Sequence, residues 1–441
     1  MNPEQARLSE KPTSGMHDYP LAAAQSADVM HRAPGNSGFS LERFLVAKAM
    51  QVFGNPPVDV VLWNGQAIPS RRGNAVARVL IRDRGALFRL VADPELNFGE
   101  LYAAQRIEVQ GNLLDFLEAV YRVWPLPGQN RIDALLAPIA RRNSLSGSRR
   151  NIHHHYDIGN EFYKLWLDQR MLYTCAYFPD QHTGLEEAQL AKMDHVCRKL
   201  RLQPGETVVE AGCGWGALAL HMARHYGVSV SAYNISSEQI SFARERAKAE
   251  GLDGQVKFIE DDYRNVSGKF DAFVSVGMLE HVGPENYRAL GEVIDRTLNE
   301  TGRGLIHSIG LNYPRPMDPW TERHIFPGAA PPSLAQMMQI FEPYDFSVLD
   351  VENLRLHYAR TLAHWLQRYE DNLDRINEMF DPEFARSWRL YLAGSLTSFK
   401  TGLMQLFQVS FARAGNNHVP WTREYLYQPL NTAPQESDET R

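Results

Sequence analysis

The chain has 441 residues, enough for two or three domains with substantial cores. Its net charge of −6 gives no global basic field, so we expect no nucleic-acid partner. The three cysteines lack the paired spacing of a disulfide scaffold or a zinc module and fit a reducing cytosol. No apolar run approaches the roughly 18 residues of a membrane span, and the N-terminus lacks the apolar segment of a secretory signal. These features predict a cytoplasmic protein.

The first part of the chain predicts a tail followed by a small domain. Residues 1–38 are rich in Ser, Pro, Gly, Asn and Ala, which predicts a disordered tail. Residues 39–125 predict a small α+β domain. Its helices are expected over 41–53, 98–102 and 113–124, and its strands over 58–62, 75–81, 86–91 and 107–109. This domain could bind lipid, mediate dimerisation or be purely structural, and the sequence leaves these possibilities open.

Residues 126–150 predict a basic linker with five arginines between Arg131 and Arg150. Such a segment could contact anionic lipid headgroups, at about 1 kcal/mol for each residue near the surface, or it could be a solvated linker. A histidine run, His153 to His155, follows. Neighbouring side chains diverge in a helix or strand, and no Cys or acidic residue has metal-ligand spacing nearby. We therefore predict no metal site.

The stretch 207–217 carries the strongest local signal in the chain. An apolar strand leads into glycines at 212, 214 and 216, and residues 217–226 then predict a helix that Gly227 can end. A glycine turn that opens onto a helix N-terminus is how open α/β sheets form nucleotide pockets. Glu210 lies at the strand tip, where a carboxylate would repel a pyrophosphate. It suits a ligand with a positively charged end, such as S-adenosylmethionine.

A dinucleotide is the alternative ligand, because Gly212, Gly214 and Ala217 also satisfy the loose dinucleotide fingerprint. That fingerprint requires an acidic residue at the tip of the second strand. The second strand, 228–233, ends at Asn234 instead, and Glu238 lies one helical turn further on. The pattern therefore favours S-adenosylmethionine.

The following elements complete an α/β prediction. Strands are expected over 256–259, 270–276 and 304–308, and a helix begins with a capping box in which Ser236 is paired to Gln239. A long amphipathic helix begins at Asp381 and Pro382, with an apolar stripe that continues to Phe411. The stripe is typical of a core and could also line an acyl-chain tunnel. We predict a catalytic domain over 151–415 and a C-terminal tail over 416–441.

Seven motifs in residues 151–414 together resemble the cyclopropane-fatty-acyl-phospholipid synthase family, which includes the mycolic acid cyclopropane synthases. The motifs are His154–Tyr163, Tyr173–Phe178, Gly212–Gly216, Glu280–Gly283, Ile306–Gly310, His324–Gly328 and Tyr358–Leu362. The resemblance implies a Rossmann-like class I S-adenosylmethionine-dependent methyltransferase. The N-terminal domain more loosely resembles the lipid-binding domain of the bacterial synthases.

The resemblance implies transfer of a methylene group from S-adenosylmethionine to a cis double bond of an unsaturated phospholipid in the bilayer, giving a cyclopropane. It further implies peripheral association with the inner face of the membrane, and a homodimer is possible. Methylation of the double bond without ring closure is the alternative on the same scaffold. A lipid-binding protein with a relict catalytic domain, and a dinucleotide oxidoreductase, are the competing functions from other classes.

The resemblance also implies site residues. A bicarbonate ion would act as the base, held by Cys175, Glu280, His307, the backbone of Ile309, and Tyr358. The cofactor-binding residues would be Tyr173, Thr174, Glu210, Gly212, Cys213, Gly214, Trp215, Gly216, Asn234, Ile235, Ser236, Gln239, Asp262, Tyr263 and Arg264.

Overall fold

The structure is a computed structural model that describes residues 41–124 and 158–427. The predicted N-terminal tail, the predicted basic linker and the three histidines that follow it lie outside the described residues. The domain boundaries proposed from the sequence therefore stay predictions.

The N-terminal region forms a four-stranded sheet with four helices. Its elements are α1 (Leu41–Val52), β1 (Val58–Leu62), β2 (Ala67–Ile68), β3 (Ala77–Ile81), α2 (Arg84–Ala92), α3 (Pro94–Ala103), β4 (Ile107–Gln110) and α4 (Leu113–Arg122). The sheet order is β2-β1-β3-β4, and only the β1–β3 pair is parallel. Buried and partly exposed residues alternate along β1, so Val58, Val60 and Leu62 lie on the inner face.

One predicted strand of this region is wrong. Residues 86–91 belong to helix α2, because Asp83 caps the helix by accepting a hydrogen bond from the Ala86 amide at 2.9 Å. The buried residues Ala86, Leu87 and Leu90 are spaced for one face of a helix. Arg84 and Gly85, which directly precede the predicted strand, are the first two residues of this helix.

The C-terminal region contains a seven-stranded sheet in the order β10-β11-β9-β8-β5-β6-β7. Its strands are β5 (Thr207–Ala211), β6 (Ser229–Asn234), β7 (Val256–Glu260), β8 (Phe270–Val276), β9 (Leu298–Gly310), β10 (Phe346–Asn353) and β11 (Gln405–Arg413). Strands β5 to β9 are parallel to one another, whereas β11 is antiparallel to β9 and β10. The α/β prediction is confirmed, and the carboxyl ends of the parallel strands meet at one edge.

Ten helices accompany this sheet in the described residues. They are α5 (Asn160–Tyr163), α6 (Leu185–Leu200), α7 (Ala217–Tyr226), α8 (Ser237–Ala249), α9 (Tyr287–Thr297), α10 (Pro319–His324), α11 (Leu334–Phe341), α12 (Arg355–Asp371), α13 (Leu373–Met379) and α14 (Pro382–Thr401). Within the described part of the chain, no helix combines the length and apolar character needed to cross a membrane.

The long C-terminal helix is shorter than its apolar stripe predicts. Helix α14 starts at Pro382 after the Asp381 cap, as predicted, but ends at Thr401, because Gly402 follows with a φ of +83°. Phe407 and Phe411 lie on β11. A spacing of four residues fits both a helical period of 3.6 and a strand period of 2, so the stripe alone does not separate the two structures.

The two regions pack closely, with α3 and α4 against α14. Arg386 donates a hydrogen bond to the backbone oxygen of Tyr102 at 2.8 Å, and Lys400 forms an ion pair with Glu118 at 2.7 Å. Gly99 lies directly beneath the indole of Trp320, where an added Cβ would come within 2.4 Å of the ring. A large cavity lies between the two regions and is bounded by both.

Candidate active site

The glycine turn after β5 forms the floor of a cavity at the carboxyl edge of the sheet. All three glycines have positive φ, but the space around their Cβ positions differs. A Cβ on Gly212 would lie 2.9 Å from Met278, and a Cβ on Gly216 would lie 2.5 Å from the ring of Phe258. Gly214 has no heavy atom within 4 Å of its Cβ position and lines the cavity. Gly214 therefore leaves room for a ligand, whereas the other two permit close packing.

Most of the predicted cofactor residues line this cavity, which we call the cofactor cavity. They are Tyr173, Thr174, Glu210, Gly212, Cys213, Gly214, Trp215, Asn234, Ile235, Gln239, Asp262, Tyr263 and Arg264. Two predicted residues do not line it. Gly216 packs against Phe258, and Ser236 caps α8 by accepting a hydrogen bond from the Gln239 amide at 3.4 Å. The predicted capping box is only half formed, since the Gln239 side chain accepts a hydrogen bond from Asn234 at 2.7 Å.

Two buried carboxyl groups line the cofactor cavity, and they differ in their partners. Glu210 is 2% exposed, and its Oε2 has no hydrogen-bond partner among the described residues. Burial raises the pKa of Glu210 to about 8. Asp262 is instead paired with Arg264 at 2.7 Å. An unpartnered buried carboxylate fits a cationic ligand group, so Glu210 suits the ammonium end of S-adenosylmethionine.

The second cavity, which we call the large cavity, has a volume of about 2090 Å³. Residues Tyr173, Thr174, Gly277 and His281 line both cavities, so the two meet there. The residues predicted to hold the anion all line the large cavity: Cys175, Glu280, His307, Ile309 and Tyr358. The fold therefore brings to one cavity side chains that lie far apart in the sequence.

Glu280 lies just beyond the carboxyl end of β8 and is 6% exposed. Its Oε1 accepts a hydrogen bond from the Ile309 amide at 2.5 Å, while its Oε2 has no partner in the described residues. Burial raises the pKa of Glu280 to about 7. The Ile309 amide was predicted to hold the anion, but in this structure it holds Glu280.

His307 lies on β9, and a neighbour on β11 determines which of its two ring nitrogens carries the proton. The Gln408 side chain donates a hydrogen bond from Nε2 to His307 Nδ1 at 3.0 Å, and both residues are buried. Burial lowers the pKa of His307 to about 3, so the ring is neutral. With Nδ1 as the acceptor, the proton of the neutral ring lies on Nε2. His307 can therefore act as a hydrogen-bond donor through Nε2.

The remaining two residues contribute a thiol and a phenol. Cys175 is 1% exposed, and burial raises the pKa of its thiol, which stays protonated. The Tyr358 ring on α12 packs 4.6 Å from Phe399 and 5.9 Å from Trp365, measured between ring centres. The hydroxyls of Tyr173 and Tyr391 lie 2.7 Å apart. The wall therefore combines neutral polar groups with aromatic faces.

These groups fit a small anion that carries its own proton, such as bicarbonate. His307 offers a donor without a positive charge, and the unpartnered Oε2 of Glu280 can accept a hydrogen bond. When Glu280 is protonated, it can also donate. A fully ionised anion would be repelled by an ionised Glu280, so the raised pKa of this carboxyl group favours binding.

Two residues of the site were not singled out from the sequence. Lys192 lines the cofactor cavity, and Gln408 holds His307, which lines the large cavity. Lys192 falls on the apolar stripe of α6, between Ala188 and Val196, and a charged residue on such a stripe is a detectable signal. Gln408 carries no such signal, because β11 was assigned to a helix. His281, which lines both cavities, has its pKa lowered to about 4 by burial.

Within residues 41–124 and 158–427, no group of three or more His, Cys, Asp or Glu residues is arranged to hold a metal ion. The histidines at 153–155 lie outside these ranges, so the expectation about them is not tested.

Comparison with known proteins identifies the family. The profile of the family described as mycolic acid cyclopropane synthetase matches residues 143–409. The chain belongs to this family. Residues 45–124 separately match a family described as a domain of unknown function, DUF7884.

Curated relatives match over most of their length. A cyclopropane-fatty-acyl-phospholipid synthase from Escherichia coli is 37% identical over 78% of this chain and 90% of its own. A probable fatty acid methyltransferase from Pseudomonas putida is 35% identical over 84% of this chain and 96% of its own. A tuberculostearic acid methyltransferase, UfaA1, from Mycobacterium tuberculosis is 33% identical over 81% and 88%.

Solved structures agree with the fold. A mycolic acid cyclopropane synthase, CmaA1, complexed with SAH and CTAB, is 29% identical and covers 60% of this chain and 98% of its own, with a TM-score of 0.58. The protein is therefore an S-adenosylmethionine-dependent methyltransferase with a Rossmann-like fold, and the prediction of S-adenosylmethionine as its cofactor is confirmed.

Proposed function

We propose that the protein transfers a methylene group from S-adenosylmethionine to a cis double bond in an acyl chain of an unsaturated phospholipid, forming a cyclopropane. The observation that carries this proposal is the meeting of the cofactor cavity with the large cavity at Tyr173 and Thr174, beside Glu280 and His307. Relatives named as cyclopropane synthases support the same reaction.

The large cavity suits an acyl chain because much of its wall is apolar. The N-terminal sheet contributes Val58, Val60 and Ile81, and α4 contributes Phe116 and Val120. Phe399 and Leu403 come from the other side. An apolar chain that fills this space excludes water from the reacting carbons, and water would otherwise trap a cationic intermediate as an alcohol.

Methyl transfer to an alkene places positive charge on carbon in the transition state. S-adenosylmethionine supplies the methyl group. Tyr173, Tyr358 and Phe399 line the large cavity and offer aromatic faces, which stabilise positive charge without competing as strong nucleophiles. Ring contacts hold Tyr358 between Phe399 and Trp365, so its position is fixed before the substrate binds.

Ring closure requires removal of a proton from the added methyl group. A bound bicarbonate would supply the base for that step. Glu280, through its unpartnered Oε2, and His307, through Nε2, would hold and orient it, together with the Cys175 thiol and Tyr358. Glu280 also holds the Ile309 amide, which fixes the carboxyl group in place.

The phospholipid would enter from a bilayer, and we propose that the protein associates peripherally with the membrane. The N-terminal region exposes several large apolar side chains that suit such contact, namely Leu41, Phe44, Val52, Val76 and Phe88. The predicted basic linker would add attraction to anionic lipid. The homodimer expected from the sequence stays a prediction.

Methylation of the double bond without ring closure is a second candidate, because one relative is named as a probable fatty acid methyltransferase and another as a tuberculostearic acid methyltransferase. The two reactions share the methyl transfer and the loss of one proton, and they differ in whether the electron pair left behind closes a three-membered ring or forms a new double bond.

A single labelling experiment separates these functions. The full chain is incubated with bicarbonate, vesicles of a cis-monounsaturated phospholipid, and S-adenosylmethionine carrying a CD3 methyl group, and the acyl esters are analysed by mass spectrometry. A saturated, ring-containing product that keeps two of the three deuteriums supports the cyclopropane. Label in a product that still contains an alkene supports the second candidate. Cofactor binding with no label in lipid would contradict both and would favour a relict catalytic domain.

A further inference from the structure

Two of the described arginines line the large cavity, and they differ in their partners. Arg323 forms an ion pair with Glu100 at 3.1 Å. Arg315 is partly buried and has no carboxylate within ion-pair distance in the part of the chain that the structure describes. A guanidinium is charged at any physiological pH. Arg315 therefore brings to the wall of this cavity a positive charge that no described acidic side chain pairs with.

The loop that carries Arg315 is fastened to the turn between α14 and β11. Arg315 donates a hydrogen bond from Nη2 to the backbone oxygen of Leu403 at 3.0 Å, and Asn312 donates to that of Gly402 at 3.4 Å. Prolines on both sides of Arg315 restrict the backbone further. A guanidinium has five N–H donors, and the bond to Leu403 uses one of them. The side chain is thus held in place with donors left for a ligand.

The surroundings of Arg315 include one acidic residue of the same loop and one phenol. Asp318 caps α10 by accepting a hydrogen bond from the Thr321 amide at 2.8 Å, so its carboxylate is engaged with the helix. Burial raises the pKa of Tyr121 on α4, Asp318 raises it further, and Arg315 lowers it. Both charges therefore act on the Tyr121 side chain, which lines the same cavity.

The position of Arg315 in the chain fits the length of a phospholipid. Arg315 lies six residues after Ile309, and six extended residues span at most about 20 Å. Both residues line the large cavity. In a phospholipid, the phosphodiester and a double bond in the middle of an acyl chain are separated by on the order of 15 Å at the bond lengths of a carbon chain. A phosphate beside Arg315 is thus compatible with a double bond beside Ile309.

We propose that Arg315 binds the phosphodiester group that phospholipids share, and that it selects phospholipids over lipids without phosphate. This inference rests on the proposed function, because it concerns the lipid that enters the large cavity. A guanidinium can donate two parallel hydrogen bonds to a phosphate, and charge-assisted hydrogen bonds are the strong ones. Arg315 is a specificity residue and takes no part in the chemical step.

The test is a competition between two lipids in one detergent micelle. The full chain receives phosphatidylethanolamine and diacylglycerol with the same cis-monounsaturated acyl chains, together with bicarbonate and S-adenosylmethionine carrying a CD3 methyl group. The diacylglycerol chains carry ¹³C, so mass spectrometry separates the two products. The ratio of methyl label in the two lipids is internal to each sample, so a partial loss of active protein does not change it.

We expect the wild type to prefer the phospholipid, and we expect Arg315→Met to lower that preference by about tenfold. Arg315→Lys keeps the charge and should retain more of the preference. Arg323→Met is the matched control, because it removes the arginine of this cavity that is already paired with Glu100. This variant should keep the wild-type ratio. Phosphatidylglycerol in place of phosphatidylethanolamine should give the same pattern, because the two lipids share the phosphodiester.

Three results overturn the proposal: equal labelling of both lipids by the wild type, the wild-type preference in Arg315→Met, or an equal loss of preference in Arg323→Met. Label in the lipids with an unchanged ratio contradicts only the role of Arg315 and leaves the proposed function standing. No label in either lipid contradicts the proposed function itself.

Calorimetric binding then decides the role of Arg315 without turnover. Monomeric dihexanoyl phosphatidylglycerol should bind to the wild type and lose about tenfold in affinity in Arg315→Met. Equal binding to the two proteins contradicts the proposal. Inorganic phosphate that binds as tightly as this lipid, and that also depends on Arg315, would assign the site to free phosphate and overturn the proposal.

Discussion

The two cavities differ in how their walls are assembled from the chain. The cofactor cavity is built largely from short continuous segments, the glycine turn and the residues that follow β6 and β7. The wall of the large cavity that we propose to hold the anion takes single residues from four distant places, Cys175, Glu280, His307 and Tyr358. A local segment can position a ligand by backbone geometry, whereas the distant residues depend on the sheet and on α12 being formed. Substitutions in the second wall should therefore impair the chemistry and leave cofactor binding intact.

The sharpest test of this separation is Glu280→Gln. The variant keeps the shape and a hydrogen-bond acceptor but cannot ionise, so we expect turnover to fall by about 100- to 1,000-fold. Affinity for S-adenosylhomocysteine should change by less than about twofold, because Glu280 does not line the cofactor cavity. Turnover is measured with labelled S-adenosylmethionine and phospholipid vesicles, and affinity by calorimetry. Glu260→Gln, which alters an exposed carboxylate on the last residue of β7, is the control. Near-normal turnover of Glu280→Gln would remove this residue from the mechanism.

The same variant tests the protonation of the buried carboxyl group. The pKa of Glu280 rises from 4.5 to about 7 on folding, so the folded state binds more protons between these values. The free energy of unfolding of the wild type should therefore fall as pH rises through this window, relative to Glu280→Gln. The change is up to about 3 kcal/mol. Denaturant unfolding at several pH values measures it. Because Glu210 is present in both proteins, its own titration cancels, and parallel stability curves would contradict the raised pKa.

Gln408 offers a milder way to disturb the same wall. Replacing it with Leu removes the donor to His307 Nδ1, so the ring can place its proton on either nitrogen. We expect about a tenfold loss of turnover and a raised KM for bicarbonate, with unchanged affinity for S-adenosylhomocysteine. Nitrogen NMR of labelled histidine should show the loss of a single tautomer. Gln405→Leu on the same strand is the control, since that side chain donates to Gly402 instead. A His307 tautomer that survives in Gln408→Leu would refute this role.

The sequence predicted the parallel half of the sheet well because each strand there is a short apolar run followed by turn residues. Strand β5 and the glycine turn were located residue by residue, and so was the start of α14 at its Asp381 cap. Strands β10 and β11 were missed. β11 is buried on both faces, so no alternation of polar residues marks it, and its phenylalanines fit a helical spacing equally well.

The same limitation applies to the candidate site. Glycines and strand-tip acids could be located because their positions follow from local sequence. The partnership of His307 with Gln408 depends on the register between β9 and β11, and no local pattern in the sequence specifies that register. The wall that the N-terminal region contributes to the large cavity could not be predicted either, since it requires the packing of α3 and α4 on α14.

A substitution in the N-terminal region should have the smallest effect on turnover. It tests binding of the acyl chain separately from cofactor binding and from the chemical step. Val60 lies on the inner face of β1 and lines the large cavity. Val60→Phe enlarges a side chain that lines the large cavity, and the cavity has room for the larger ring. We expect it to shorten the space for an acyl chain, so that turnover falls about three- to fivefold for long cis-monounsaturated chains and less for shorter ones. Competition between vesicle lipids of two chain lengths, read out by mass spectrometry, measures the ratio directly.

Val61→Phe, at the neighbouring position whose side chain faces the other side of the sheet, is the control. An equal loss for every chain length, or the same result with the control, would mean that the N-terminal sheet does not contact the acyl chain.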